Sequence, residues 1–192
     1  RELALIYDEV FMDDLEQPLI AAPANSDPLT FRLGGLSKSL GLPQLKLAWI
    51  ELSGPKDPLA ECRNRLELIA DTYLSVNTPV QVGLEKLLAF APNIQKQIRN
   101  RVFTNRKTLE ALFKDSKKVK LWPAQGGWYA LLEVLQGGAS DEELVLELIK
   151  KHKVNVQPGG FYDFSEGCFL VVSLLPQLEL FQTGAGRLKT FF

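Results

Sequence analysis

Short apolar runs separated by different polar signals make up the first fifty residues. Glu2 to Tyr7 is mostly apolar and ends in Asp8-Glu9. That is the pattern of a buried strand of an α/β sheet whose carboxylates emerge at its C-terminal edge. Met12 to Pro28 is polar and proline-bearing, and Leu29 to Leu33 then alternates as a second strand does. Gly34-Gly35 is expected to open a turn, so Gly34 to Gly41 reads as a small-residue loop carrying Lys38. A third apolar run, Leu45 to Leu52, leads through Gly54-Pro55 to a helical segment.

The period then lengthens. From Pro58 to about Val76, Leu59, Cys62, Leu66, Ile69 and Ala70 recur at three and four, which predicts one face of a helix. Asn77-Thr78-Pro79 breaks it. A longer helical pattern runs from about Val80 to Phe113, and Pro92 is expected to kink it or split it in two. After Lys117-Lys118 the pattern predicts strands over Val119 to Trp122 and Gly127 to Val134, a helix over Ser140 to His152, and strands over Val154 to Val156 and Phe169 to Leu175. Ser140 with Glu143 spells a capping box at that helix start. Leu178 to Phe192 reads as a terminal helix, weakened by Gly184 and Gly186.

Composition narrows the function classes. Lys and Arg number 22 against 23 Asp and Glu, a net charge of −1, so no basic field argues for nucleic acid or a membrane surface. No apolar stretch reaches the ~18 residues of a membrane span. Cys62 and Cys168 stand far apart, and His152 is the single histidine, so zinc or a Cys/His nucleophile is poorly supported. Buried free thiols in a reducing compartment, the cytoplasm, are the expectation. The chain opens on Arg1 and runs directly into an apolar segment, which suggests a start inside a larger polypeptide.

An acid at one strand end and a lysine at the next form a constellation with a chemical use. An amine can form a Schiff base, and a carboxylate can keep a ring nitrogen protonated so that the ring withdraws electrons. At Tyr7-Asp8-Glu9-Val10-Phe11 and Leu36-Ser37-Lys38-Ser39 the sequence resembles the fold-type I pyridoxal-phosphate aminotransferases of class I/II. Pro123-Ala124-Gln125-Gly126-Gly127-Trp128-Tyr129 is similar to the family's small-domain aromatic strand, and Val156-Gln157-Pro158-Gly159 with Phe164 and Gly167 to the segment before its last substrate strand.

The resemblance implies that Asp8 pairs with the cofactor's pyridine nitrogen and that Lys38 carries the cofactor and then acts as proton-transfer base. Ser37, Lys46 and Phe11 complete the implied cofactor-binding set, with no metal. It implies an α/β protein, the C-terminal part of a PLP-transferase fold: residues 1–100 as the end of the large cofactor-binding domain with its connecting helix, residues 101–192 as a small α+β domain. It also implies a homodimer acting on an amino donor and a 2-oxo acid. This chain alone is expected to hold the cofactor weakly and to lack activity. A non-catalytic regulatory domain on the same scaffold and another lyase-type reaction are the alternative readings.

The departures from the family pattern are specific. Phe11 stands where the family has a tyrosine bonded to the cofactor's ring oxygen, and Lys46 where an arginine grips the phosphate, so the charge stays and the fork is lost. Gly35 replaces a phosphate-binding serine. Val171 occupies the position of the arginine that holds the substrate carboxylate, and no arginine occurs between Arg106 and Arg187. Asn77 and Thr78 lie where relatives send residues toward the neighbouring subunit's cofactor, or else cap the next helix. Phe11, Phe161 and Phe164 read as core or wall aromatics rather than as substrate-reading residues.

Overall fold

The computed structural model describes residues 3–14, 28–164 and 166–192. The chain divides into two compact units, residues 1–96 and 97–192, with the boundary inside a helix.

The first unit is built on a three-stranded sheet of order β1-β2-β3, formed by β1 (Ala4–Asp8), β2 (Leu29–Gly35) and β3 (Ala48–Ser53). β1 and β2 are parallel, with Asp8 opposite Leu33; β2 and β3 are antiparallel, with Gly35 opposite Ala48. A single helical turn, α1 (Leu36–Ser39), follows β2 without a break. α2 (Lys56–Thr72) and α3 (Thr78–Ala89) come next. Asn77 is the N-cap of α3, its Oδ1 accepting the Val80 N–H at 3.1 Å, so this residue satisfies a helix end.

Pro92 splits the long helical pattern. α3 stops at Ala89, and α4 (Ala91–Phe113) begins after one intervening residue, Phe90, with Pro92 in its first turn, where a missing N–H breaks no helical bond.

The second unit holds a four-stranded sheet of order β4-β5-β7-β6: β4 (Val119–Leu121), β5 (Tyr129–Val134), β6 (Gln157–Pro158) and β7 (Phe169–Ser173). Alternation along the antiparallel strands puts Ala130, Leu132, Leu170 and Val172 on one face, and all four are buried. α4 contributes buried Val102, Leu109 and Phe113, and α6 (Leu178–Phe191) buried Phe181, Ala185 and Leu188. Two polar clamps tie α4 to the sheet. Asn105 Nδ2 donates to the Leu174 and Pro176 carbonyls at 2.9 Å, and Arg106 Nη2 to the Tyr129 carbonyl at 3.0 Å.

Several expectations are corrected. β1 is not a buried strand: Leu5 and Ile6, which project to opposite faces of the sheet, are both exposed, and so is Leu3 just before it. Val154 to Val156 forms no strand; the ladder with β7 is confined to Gln157 and Pro158. The helix predicted to His152 keeps α geometry only over α5 (Asp141–Glu147), then widens to a π turn over Leu148–His152 that Lys153 closes in the left-handed region at φ 55°. Both cysteines are free thiols and half-buried rather than buried. α6 stays helical through Gly184 and Gly186, since its buried apolar stripe offsets the glycine penalty of about 1 kcal/mol each.

Candidate active site

The parallel pairing of β1 and β2 brings their C-terminal ends to one edge of the sheet. Asp8 ends β1 there, with its Oδ1 accepting the Val10 N–H at 3.3 Å. Phe11 lies in the turn that follows, where Met12 N–H bonds the Glu9 carbonyl at 3.0 Å. Lys38 emerges from α1 just past the end of β2, and its Nζ stands 5.4 Å from the centroid of the Phe11 ring. The segment carrying Asp8 and the turn carrying Lys38 therefore meet at the same edge. At that separation a cation–π attraction is worth about 0.5–1 kcal/mol.

Lys38 is not in a glycine loop. Gly34 and Gly35 are the last rungs of the β2–β3 ladder, opposite Trp49 and Ala48. Both are closely packed. A Cβ on Gly34 would sit 2.4 Å from Trp49 Nε1, and one on Gly35 would press on Ala48 Cβ and the Leu47 carbonyl, each at 3.2 Å. A serine at Gly35 would need Ala48 and the Leu47 carbonyl to give by a few tenths of an ångström. α1 is then closed by Leu40 N–H on the Leu36 carbonyl at 3.2 Å and by Ser39 Oγ on the Gly35 carbonyl at 2.8 Å.

Core packing sets where the lysine can go. Leu36 and Leu40, buried one turn apart, join Leu47 in a core cluster against which Val80, Leu84, Leu87 and Ile94 pack. With about 100° between successive helical residues, Lys38 lies on the side of the turn away from those two leucines. Ser37 sits beside it, half-buried. Lys46 is exposed and holds a left-handed conformation, φ 52°, at the end of a 3-10 turn over Pro43–Leu45. The next residue, Leu47, accepts the Leu36 N–H at 3.1 Å, which ties the Lys46 segment to the start of α1.

One group was not singled out in the sequence. Arg32, in mid β2, hydrogen-bonds Glu9 and Glu51 on either side. The guanidinium pKa is raised above its ordinary value by the Glu9 hydrogen bond first, against desolvation, with the Glu9 and Glu51 charges adding to the rise. The only signal was a charge inside two apolar runs and another just after a third, and it becomes informative once the register is known. Elsewhere, the Cys168 thiol is pushed up by desolvation and then by the Asp141 charge. Among the described residues no group of three or more His, Cys, Asp or Glu is placed to hold a metal ion, and no helix is long and apolar enough to cross a membrane.

Comparison with known proteins gives these features a context. The profile of the family described as aminotransferase class I and II matches residues 1–174. Among curated proteins, the chain is 25% identical over 191 residues to the glutamate-pyruvate aminotransferase AlaA of Escherichia coli K12, covering 97% of this chain and 47% of that protein. It is 28% identical over 192 residues to the protein of the same name from Haemophilus influenzae, with the same coverage. The chain thus spans about half the length of the curated relatives it matches. Among solved structures, the alanine aminotransferase from Pyrococcus furiosus superposes with a TM-score of 0.82 at 22% identity, over 99% of this chain and 49% of that one. The tyrosine aminotransferase from Leishmania infantum gives 0.84 at 19% identity, over 98% and 48%. Both likenesses are to the fold.

Proposed function

Since the chain belongs to the class I and II aminotransferase family, we propose that it is the lysine-bearing part of an enzyme that transfers amino groups between an amino donor and a 2-oxo acid with pyridoxal phosphate. The observation that carries this reading is the meeting of Lys38 with the Asp8–Phe11 segment at one sheet edge, Nζ 5.4 Å from the Phe11 ring centroid. The donor set fits such a cofactor: a primary amine for an aldehyde, a strand-end carboxylate for a ring nitrogen, and an exposed ammonium at Lys46 for a phosphate. When bound, pyridoxal phosphate supplies an electron-withdrawing ring that acidifies the α-carbon of an attached amine.

The chain's own residues do the rest. Lys38 would hold the cofactor through its amine, and its Nζ is the group that would take and return a proton. Asp8 supplies the negative charge that keeps a proton on the ring nitrogen. Phe11 offers a ring face beside Nζ and no hydroxyl, so it would donate no hydrogen bond to the cofactor's ring oxygen. Ser37 lines the same turn, and Lys46 meets the phosphate as a point charge.

Val171 is buried within β7, an apolar position for a carboxylate clamp, so amines and amino alcohols belong in a donor screen beside amino acids. A cytoplasmic homodimer is part of this proposal; the free state of both cysteines supports the compartment.

The test is the absorption spectrum of the full-length protein with pyridoxal phosphate, followed by borohydride reduction and peptide mapping. We expect a visible band and a cofactor adduct on the Lys38 peptide, both lost in Lys38→Ala. A band that persists unchanged in the variant would overturn the assignment.

A further inference from the structure

We infer that Arg32 is a positioning residue: it clamps Glu9 and thereby fixes the peptide that presents Asp8. The inference rests on the proposed function, because Asp8 needs exact placement only if a ring nitrogen is its partner.

Arg32 occupies the central strand, in register with Tyr7 on β1 and Glu51 on β3. Its Nε and Nη2 converge on Glu9 Oε2 at 3.0 and 2.9 Å, and its Nη1 reaches Glu51 Oε2 at 3.3 Å. The two contacts differ in setting. The Arg32 and Glu9 side chains are 20% and 17% exposed, whereas that of Glu51 is 59% exposed. The inner pair is shielded from water and takes two donors of the guanidinium, an arrangement that a flexible ammonium does not reproduce. The outer one is an ordinary wet contact of small energetic weight.

The consequence for Asp8 follows from its place in the chain. It lies between two fixed points: its own register pair with Leu33, and Glu9, which is held both by the guanidinium and by its N–H on the Leu33 carbonyl at 3.1 Å. Successive strand residues project to opposite faces. Asp8 shares a face with Leu33 and Ile50, while Arg32 projects with Tyr7 and Glu51 on the other. Arg32 therefore acts on Asp8 through the β1 backbone and not by touching what Asp8 touches. Without the clamp, Glu9 keeps only its backbone bonds to Leu33 and Met12, and the Asp8 carboxylate is oriented by the Val10 N–H alone, on a segment the sheet no longer pins through a side chain.

The test compares two cofactors in the full-length protein: pyridoxal phosphate and its deaza analogue, in which a CH replaces the ring nitrogen. Wild type is expected to bind the natural cofactor more tightly than the analogue. Arg32→Gln is expected to weaken pyridoxal phosphate by about tenfold, some 1.4 kcal/mol, while leaving the analogue's affinity within about twofold by the same scale. In cofactor-free protein the same variant should speed hydrogen exchange at the Glu9 and Val10 amides and leave the β2–β3 ladder protected. Should Arg32→Gln not fold, Glu9→Gln makes the same comparison with the guanidinium retained. Equal loss of both cofactors, or loss of neither, overturns the inference and leaves Arg32 a sheet-bracing residue. Equal affinity of wild type for the two cofactors is a different result: it removes the role proposed for Asp8, and this inference with it.

Discussion

The cysteine at position 168 shows how a residue's chemistry is set by what it is packed against. Its thiol is held above its ordinary value because burial disfavours the thiolate and Asp141 adds a like charge. The folded protein therefore binds this proton more tightly than the unfolded chain does. Stability from this site is present below the unfolded-state thiol pKa, about 8.5, and falls as pH rises past it toward the folded value. Alkylation with iodoacetamide reads the same effect. At pH 8, Cys168 should react more slowly than free cysteine, and Asp141→Asn should speed it without reaching the free rate, because desolvation, the larger cause, remains. A rate in the variant equal to wild type would remove the Asp141 contribution.

At the scale of the element, two helices show opposite ways of being specified. α5 is written locally: Ser140 Oγ accepts the Glu143 N–H at 3.2 Å, while Glu143 Oε2 accepts the Ser140 N–H at 2.9 Å. Ser140→Ala removes half of that box and is expected to cost about 1 kcal/mol, within a range of roughly 0.5–2. A urea unfolding midpoint unchanged from wild type would contradict this. α1 is specified from a distance. A four-residue helix has no stability of its own, and this one exists because Leu36 and Leu40 enter the Leu47 cluster while the Leu47 carbonyl, one residue before β3, bonds its first N–H. Its lysine is placed by the Leu47 segment and α3 as much as by its neighbours in sequence.

The two units differ in how completely they bury what they contain. The second covers one face of its sheet with α4 and α6, and its buried residues alternate as the register requires. The first leaves Ile6, Trp49 and Ile50 of its sheet exposed, with Leu68 and Leu74 in and after α2, Val82 in α3 and Phe90 between α3 and α4. Exposed apolar residues in that number mark surfaces that associate with something. The isolated 192-residue chain is therefore expected to bind the dye ANS strongly and to show a molecular mass in light scattering that rises with concentration. The second unit exposes Phe103, Trp122, Phe161 and Leu180 among others as well; dye binding no greater than that of a compact globular control would refute the expectation.

Much of this was written in the chain. The apolar periods place most of the strands and helices, and Pro92 divides the long helix because a proline tolerates only the first turn. Ser140 and Glu143 mark a helix start whose capping bonds all lie within four residues. Local patterns of that kind are legible because the interactions that enforce them are near in sequence. Lys38, Asp8 and Phe11 could be nominated from motifs, yet their meeting depends on the parallel register of β1 with β2 across some twenty intervening residues. The seat of Gly34 under Trp49 and the Arg32–Glu51 contact depend on β3 pairing with β2, the Arg32–Glu9 contact on β1 pairing with β2, and the helical turn that carries Lys38 on the Leu47 segment just before β3. Register is a property of two segments together, since a slip of one residue turns every side chain to the other face. The sequence by itself determined which residue types were available for the chemistry, and the tertiary structure alone decided which of them share an edge.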